Sequence, residues 1–321
     1  MLKDFQQIEW NEQVEQDCRA LTRLAIREDL AQQQDWTTNA LVPPDLQGGA
    51  DIVSRQAGIV AGIPALVAAL DEMQARLTLT PAVQEGDSIA PDTVVATLSG
   101  NVRDLLTGER ILLNLLGRLM GIATLAGQYV EAVSGTRARV YDTRKTTPGW
   151  RRLEKYAARC GGVRNHRTGL YDAVLIKDNH LAMLGCSGKN GLGNDPAVAV
   201  EQVRDYLLAD PEGKRPSGCL IEVEVDTLGQ LTTVLPARPD IVLLDNMTPE
   251  ILREAVRLRD TQAPQVQLEA SGGIGLPQIR RIADTGVERI SIGALTHSAQ
   301  ALDVGLDWRE IREIDLSLIH I

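Results

Sequence analysis

The sequence predicts an α/β protein in which a small α+β unit precedes a parallel sheet, either doubly wound or rolled into a barrel. Three observations predict it. The 321 residues suit about two domains at roughly 100 to 200 residues each. Six apolar runs after Gly135 alternate with helical stretches, as successive βα units do. Each of those runs ends in polar or small residues, and parallel α/β folds build their sites beyond the carboxyl ends of the strands.

A helix opens the chain over 11–31, where Val14, Cys18, Leu21 and Ala25 recur at helical steps opposite Glu15, Arg19 and Arg23. Residues 50–99 change to short β-leaning runs, ADIVSR, GIVAG, LTLTPAV and TVVATLSG, with a helical stretch around Leu66 to Met73 and a turn at 85–87. Proline-free 103–133 sets Leu106, Ile111, Leu112, Leu115, Leu116 and Leu119 at helical spacing. That predicts one long helix joining the domains, broken near Gly117 or Gly121. The six strands follow as VYD, AVLIKDN, CLIEVEVD, DIVLLDN, VQLEASGG and RISIGA, each with a helix after it. GCSGKNGLGNDP at 185–196 is too rich in Gly, Asn and Ser to pack and reads as an exposed excursion. Near the end, DWREIREID reads as a charged helix end, followed abruptly by apolar LSLIHI. Back-translated, those six residues match a transposon-derived sequencing adaptor, so 316–321 is read as a non-native tail and His320 is given no role.

Composition limits the partners. Lys and Arg number 33 against 43 Asp and Glu, a net charge of −10, which argues against nucleic acid and anionic lipid. One Phe, four Trp and five Tyr leave little for base stacking. Cys18, Cys160, Cys186 and Cys219 are scattered without a C-x-x-C pair, which suggests neither a zinc site nor a disulfide framework and makes a reducing cytosol the default. No basic-then-apolar leader and no 18-residue apolar run is evident, so a cytoplasmic protein without signal peptide or membrane span is expected.

The strand ends carry the candidate chemistry. Val140 leads to Asp142, Arg144 and Lys145; Ile176 to Lys177; Ile221 and Val223 to Glu222 and Glu224; Leu244 to Asp245 and Asn246; Leu268 to Glu269, Ser271 and Gly272; Ile292 to Gly293. A single charge at a strand end is usually a solvated terminus, but six ends would point at one mouth. Residues 137–177 hold eleven Lys and Arg and three acids, a segment of +8 in a remainder of −18. Such a focus suits a small polyanion, a phosphorylated sugar or a polycarboxylate. Arg151, Arg152, Lys155 and Arg159 read as a solvated helix face, whereas Arg144, Lys145, His166, Arg167 and Lys177 are candidates for direct contact. Glu224 and Asp245 suit Mg²⁺ as hard oxygen ligands, or serve only to neutralise the cations. SGGIG at 271–275 and SIGA at 291–294 put small residues in the last two loops, where barrels often hold a phosphate.

Other chemistries find less support. His166, His180, His297 and His320 show no H-E-x-x-H spacing, and no G-x-S-x-G elbow or P-loop occurs. SGGIGLPQ lies too late and lacks the third glycine of a dinucleotide fingerprint. Lys177 suits a Schiff base or an ion pair equally.

REDL at 27–30 with DWTT at 35–38, GERILLNLLGRLMGIAT at 108–124, DTRKTTPGWRRLEKYAARCGGVRNHRTGLYDAVLIKDNH at 142–180, IEVEVD at 221–226, DIVLLDN at 240–246, LEASGGI at 268–274 and ISIGALTHS at 290–298 resemble the quinolinate phosphoribosyltransferases, in order from about residue 20 to about 308. The resemblance implies an N-terminal α/β sandwich with an incomplete, open α/β barrel of parallel strands. Its domain limits would be 1–120 with 297–315 for the sandwich and 121–296 for the barrel. It implies the Mg²⁺-dependent conversion of quinolinate and phosphoribosyl pyrophosphate to nicotinate mononucleotide, pyrophosphate and CO₂ in NAD biosynthesis. It implies a homodimer in which Arg110 reaches the partner's site, with further assembly to a hexamer left open. Arg144, His166, Arg167 and Lys177 would grip the quinolinate carboxylates, with Thr143 beside them and Lys145 near the pyrophosphate. Glu224 and Asp245 would bind the Mg²⁺-loaded sugar, and Ser271, Gly272, Gly273, Gly293 and Ala294 the 5-phosphate; Lys145, Lys177, Glu224 and Asp245 would be the catalytic set. The alternative is a paralogue of the same fold linked to molybdenum transport; Arg110, Arg144, His166 and Arg167, able to clamp a dicarboxylate, favour quinolinate.

Overall fold

The structure, a computed structural model, describes residues 4–186, 195–209 and 218–309. Most of the 185–196 excursion and the tail with His320 lie outside the described residues. In chain order the first elements are α1 (Glu12–Leu30), α2 (Trp36–Leu41), β1 (Gln47–Ser54), β2 (Gly58–Ile59), α3 (Ile63–Glu72), β3 (Leu77–Pro81), β4 (Ser88–Ile89), β5 (Thr93–Asn101) and α4 (Val102–Ala132). Then come β6 (Arg139–Tyr141), α5 (Arg151–Cys160), β7 (Val174–Ile176), α6 (Asp178–Cys186), α7 (Pro196–Leu208), β8 (Ile221–Val225) and α8 (Leu228–Val234). The last are β9 (Ile241–Asp245), α9 (Pro249–Gln262), β10 (Gln267–Ser271), α10 (Leu276–Ala283), β11 (Arg289–Ser291), α11 (Ala294–His297) and β12 (Val304–Trp308).

These elements form two compact units. One comprises Glu9–Leu125, Thr147–Gly162 and the chain after Ser298; the other comprises Met1–Ile8, Ala126–Thr146 and Val163–Ser298. Relative to limits of 1–120 with 297–315 and 121–296, residues 1–8 and 297–298 join the parallel unit, and 121–125 and 147–162 join the antiparallel one.

The antiparallel unit is built on a four-stranded sheet in the order β12-β1-β5-β3. Asn11 starts α1 by accepting from the Gln13 and Val14 amides, and the helix buries Val14 and Cys18 as the sequence spacing predicts. Helix α4 runs unbroken for 31 residues, so the expected break at Gly117 or Gly121 does not occur. Those glycines instead admit a neighbouring chain: the Leu302 amide donates to the Gly117 carbonyl at 2.8 Å, and a Cβ on Gly121 would collide with the Gln300 carbonyl. By length and composition α4 could cross a membrane, but 67% of its apolar window is buried within the protein.

Two further expectations give way. Asp307 and Trp308, read as the opening of a charged helix end, instead belong to a strand, Val304–Trp308, in register with Ala50–Ser54 of β1, as Val304, Leu306 and Trp308 alternate with period two; residues 310–315 lie outside the described residues. Helix α5 is no solvated face either. Lys155 is fully buried, Glu154 binds Arg118 at 2.6 Å, Arg152 pairs with Asp17 at 2.8 Å, and the Tyr156 hydroxyl donates to Glu85 at 2.6 Å. Neighbours on several sides of α5 absorb charges that spacing alone assigned to water.

The parallel unit holds the six expected strands in the order β6-β11-β10-β9-β8-β7, all parallel. No ladder joins β6 to β7 among the described residues, so the barrel is open. Val223, Val242, Leu244, Leu268 and Ile290 are buried and alternate with an inner face that is largely polar. Paired residues on neighbouring strands share a side, which puts Tyr141, Glu222, Glu224, Asp245, Gln267, Glu269, Ser271, Arg289 and Ser291 on that inner face. Glu224, Asp245, Ser271 and Ser291 open to the strand ends as an upper layer, while Tyr141, Glu222, Gln267, Glu269 and Arg289 are buried beneath them as a lower layer.

Candidate active site

A cavity of about 760 Å³ opens at the carboxyl ends of the parallel strands, within the size range of small-molecule sites. It brings together thirteen of the fourteen residues singled out from the sequence: Thr143, Arg144, Lys145, His166, Arg167, Lys177, Glu224, Asp245, Ser271, Gly272, Gly273, Gly293 and Ala294. Arg110 is the exception. It stands on α4 with 66% of its side chain exposed, 3.9 Å from Glu109, and does not line this cavity.

The cations lie on the loops after β6 and before β7. Arg167 is buried and donates from Nη1 to the Ala173 carbonyl at 3.0 Å. Its Nε and that of Arg144 are both buried with no hydrogen-bond partner. Burial lowers the Arg167 pKa and the neighbouring Arg144 charge lowers it further, against the pull of Glu222 and Asp172. Two guanidiniums that repel each other and keep unfilled donors form a site for an anion, because only an anion answers both deficits. Lys145 is exposed; its backbone amide donates to the Thr143 hydroxyl at 3.1 Å, and its carbonyl accepts from Thr296 at 2.7 Å.

Across the cavity, Lys177 pairs with Glu224, so the lysine's charge is engaged as an ion pair. Glu224 stands beside Leu243 in register and Asp245 lies two residues further along β9, which puts both carboxylates on the same face. Asn246 adopts a positive φ of 54° and donates to Asp245 at 2.6 Å. Two carboxylates from adjacent strands with an amide oxygen nearby form an all-oxygen set of hard donors, which fits Mg²⁺. Beside them Gly272 and Gly273 take φ values of 100° and 59°. A Cβ on Gly272 would run into the Asn246 side chain, so this turn needs glycine both for conformation and for room.

His166, expected in the carboxylate clamp, lies at the cavity wall and is also engaged within the protein. Its ring lines the cavity, yet Nδ1 accepts the Arg167 amide at 2.8 Å, and Nε2 lies 3.0 Å from Glu222 and 3.4 Å from Glu269. Both nitrogens are thus committed to the protein. Burial disfavours a charged ring, but the two carboxylates outweigh it and raise the pKa to about 9. Because Nδ1 accepts, Nε2 carries the proton that faces the two acids. Burial raises the Glu222 pKa against the pull of His166. Glu269 moves the other way: burial would raise it, but His166 and Arg289 hold it down at about 2.

Two lining residues carried no sequence signal strong enough to assign them here. Tyr129 comes from α4, and His297 sits one turn past Gly293 with Nδ1 2.7 Å from the Ser298 hydroxyl; Asn246, seen at a strand end but given no role, also lines the cavity. For His297 the ALTHS run after SIG was the available clue, since one helical turn returns it to the same mouth.

A polar cavity at the strand ends of an open α/β barrel, with opposed guanidiniums and paired carboxylates, is an enzyme's site for small polyanions. Family models described as the C-terminal and N-terminal domains of quinolinate phosphoribosyl transferase match residues 122–307 and 35–120. The chain belongs to the quinolinate phosphoribosyltransferase family. It is 40% identical over 291 residues to a nicotinate-nucleotide pyrophosphorylase [carboxylating] of Mycobacterium leprae, covering 90% of this chain and 96% of that one. It is 34% identical over 305 residues to a mitochondrial quinolinate phosphoribosyltransferase [decarboxylating] of Nicotiana tabacum, covering 90% and 82%. The nicotinate-nucleotide pyrophosphorylase structure from Francisella tularensis superposes with a TM-score of 0.82 at 33% identity, over 95% of this chain and all of that one. None of these relatives bears the name of the molybdenum-linked alternative.

Proposed function

We propose that this chain joins quinolinate to phosphoribosyl pyrophosphate, releasing pyrophosphate and CO₂ and yielding nicotinate mononucleotide. The observation that carries the proposal is the Arg144 and Arg167 pair, each with a buried Nε lacking a partner in a cavity that also holds Lys145, Glu224 and Asp245. Two adjacent carboxylates on a planar ring supply the acceptors those donors lack. Thr143 lies beside them, Lys177 faces them from across the cavity paired with Glu224, and His166 orients Arg167 through its amide. Ser271, Gly272, Gly273, Gly293 and Ala294 present small residues to the 5-phosphate.

Glu224 and Asp245 would hold Mg²⁺, whose charge offsets that of the pyrophosphate. In the first step the pyridine nitrogen attacks C1 of the ribose as the bond to pyrophosphate breaks, the oxygen keeping the electron pair. Lys145, near the pyrophosphate, stabilises the charge that develops on it. The ribosylated nitrogen is then positive. It accommodates the electron pair left on the ring carbon when the adjacent carboxylate departs as CO₂, and a proton takes its place. The fixed, partly buried pose of Arg144 and Arg167 holds the second carboxylate while the first is lost.

Arg110, exposed and outside the cavity, completes the site of a partner copy in a homodimer. The experiment is incubation with quinolinate, phosphoribosyl pyrophosphate and Mg²⁺, with nicotinate in parallel, following CO₂ and mononucleotide by mass. Stoichiometric CO₂ and mononucleotide from quinolinate alone are expected. No product from folded protein, or product from nicotinate instead, would overturn the assignment.

A further inference from the structure

The matched family stretches begin at residue 35, yet residues 4–8 belong to the parallel unit and enter the lower layer of its inner face. The Asp4 carboxylate accepts from Arg164 at 2.7 Å, from Arg289 at 3.0 Å and from the Tyr141 hydroxyl at 3.1 Å. Phe5, 5% exposed, stacks on the His166 ring with centroids 4.3 Å apart and planes inclined by 29°. Gln7 brackets Asn165, accepting its amide at 2.9 Å and donating to its carbonyl at 3.2 Å. The Ile8 amide donates to the Asn165 side chain at 2.7 Å. Arg164, Asn165 and His166 are consecutive, and the next residue is Arg167.

We propose that Asp4–Ile8 is a positioning element of the carboxylate pocket: by holding Arg164, Asn165 and His166 it fixes where Arg167 points. This rests on the assignment of Arg167 as a carboxylate ligand made above. The His166 ring is confined on every side that matters. Phe5 covers one face, Glu222 and Glu269 face Nε2, and the Arg167 amide donates to Nδ1. A ring so confined cannot turn without giving up the Arg167 amide, so displacement of Phe5 is passed to the guanidinium beyond. His166, Glu222 and Glu269 also bring their ligand atoms within 4.8 Å of one another, as a metal site would. There, however, the Arg289 guanidinium already bonds Glu269 at 2.8 Å and lies 3.7 Å over the Tyr141 ring, supplying the compensating positive charge from within the chain.

The test uses the full chain carrying Phe5→Leu, which keeps most of the buried volume but loses the stacked ring. Gln7→Ala, at a half-buried position where little packing is at stake, is the second variant. Both should raise KM for quinolinate by about two- to tenfold, the range set by a stacked aromatic pair or by the lost Gln7 hydrogen bonds to Asn165, while KM for phosphoribosyl pyrophosphate stays put. An equal rise in both KM values, or none in either, would overturn the proposal. Calorimetric binding of phthalate, which presents two adjacent carboxylates without the ring nitrogen, separates this from the reaction itself. If the native chain binds phthalate but does not turn over quinolinate, the assigned reaction fails and the positioning role is still read from the variants' weaker phthalate binding. Equal phthalate affinity in native and variant chains overturns the positioning role, and absence of phthalate binding by the native chain overturns the pocket and the positioning role together.

Discussion

Replacing Arg167 by Met should separate the energy of the fold from that of the site. In the free protein Arg167 makes one hydrogen bond to a neutral carbonyl, Nη1 to Ala173 at 3.0 Å, worth about 0.5–1.5 kcal/mol. Against it stand the burial of a charge and repulsion from Arg144, both of which lower the Arg167 pKa. The two sides nearly cancel, so Arg167→Met should change unfolding stability by no more than about 1 kcal/mol. Binding is another matter. The unpartnered Nε is at least one charged donor awaiting an acceptor, and a hydrogen bond to a charged group is worth about 1.5–3 kcal/mol. Affinity for quinolinate should therefore fall roughly 10- to 150-fold. Urea unfolding reads the first quantity and titration calorimetry with quinolinate the second. A variant destabilised by more than about 3 kcal/mol that still binds quinolinate normally would show that Arg167 is a structural cation.

Arg110→Ala should abolish activity while leaving the fold intact, and mixing it with Lys145→Ala should restore part of the activity through hybrid dimers; no recovery despite mass-verified subunit exchange would remove Arg110 from the partner's site. Glu269 is buried, which alone would raise its pKa, but His166 and Arg289 bring it to about 2. A carboxylate depressed on folding stabilises the native state above its unfolded value of about 4.3, and that contribution is lost as pH falls toward 2. Glu269→Gln should thus flatten the acid limb of the stability curve, measured by urea unfolding from about pH 7 downward, and an unchanged limb would show that the ion pair with Arg289 is not formed. Gly121→Ala should cost about 1–3 kcal/mol in unfolding stability by forcing α4 away from the Gln300 carbonyl, and a neutral result would mean that the 300–302 segment moves aside freely.

The parallel strands were legible because both sheet faces have a fixed chemistry. Val242 and Leu244 are buried on one side and Leu243 is buried on the other, so DIVLLDN reads as a continuous apolar run whose end is sharp at Asp245. Helix α5 was legible as a helix but not in its surroundings. Its polar groups meet Asp17, Glu85 and Arg118, partners from three separate stretches of chain, and periodicity reports only which residues share a face, not what faces them. The same limit hid β12. Five residues, Val304–Trp308, take their conformation from the β1 edge they pair with, and a run that short has no helical or strand signal strong enough to stand on its own.

Within the site, legibility follows the source of each residue's role. Lys177, Glu224, Asp245, Ser271 and Gly293 owe their place to a strand end, and strand ends converge by topology, so counting residues along each run was enough to gather them. His166 owes its role to its neighbours. As a residue beside Arg167 in a cationic loop it looks like one more ligand for an anion, and only the positions of Glu222, Glu269 and Phe5 turn both of its nitrogens inward. A histidine's function depends on what each nitrogen meets, and for His166 those partners come from β8, β10 and the start of the chain. The residue pattern therefore located the pocket and its charge, while the differences inside it, with Arg144 and Arg167 lining the cavity with unpartnered Nε donors and both nitrogens of His166 engaged by the protein, required the packing of the lower layer.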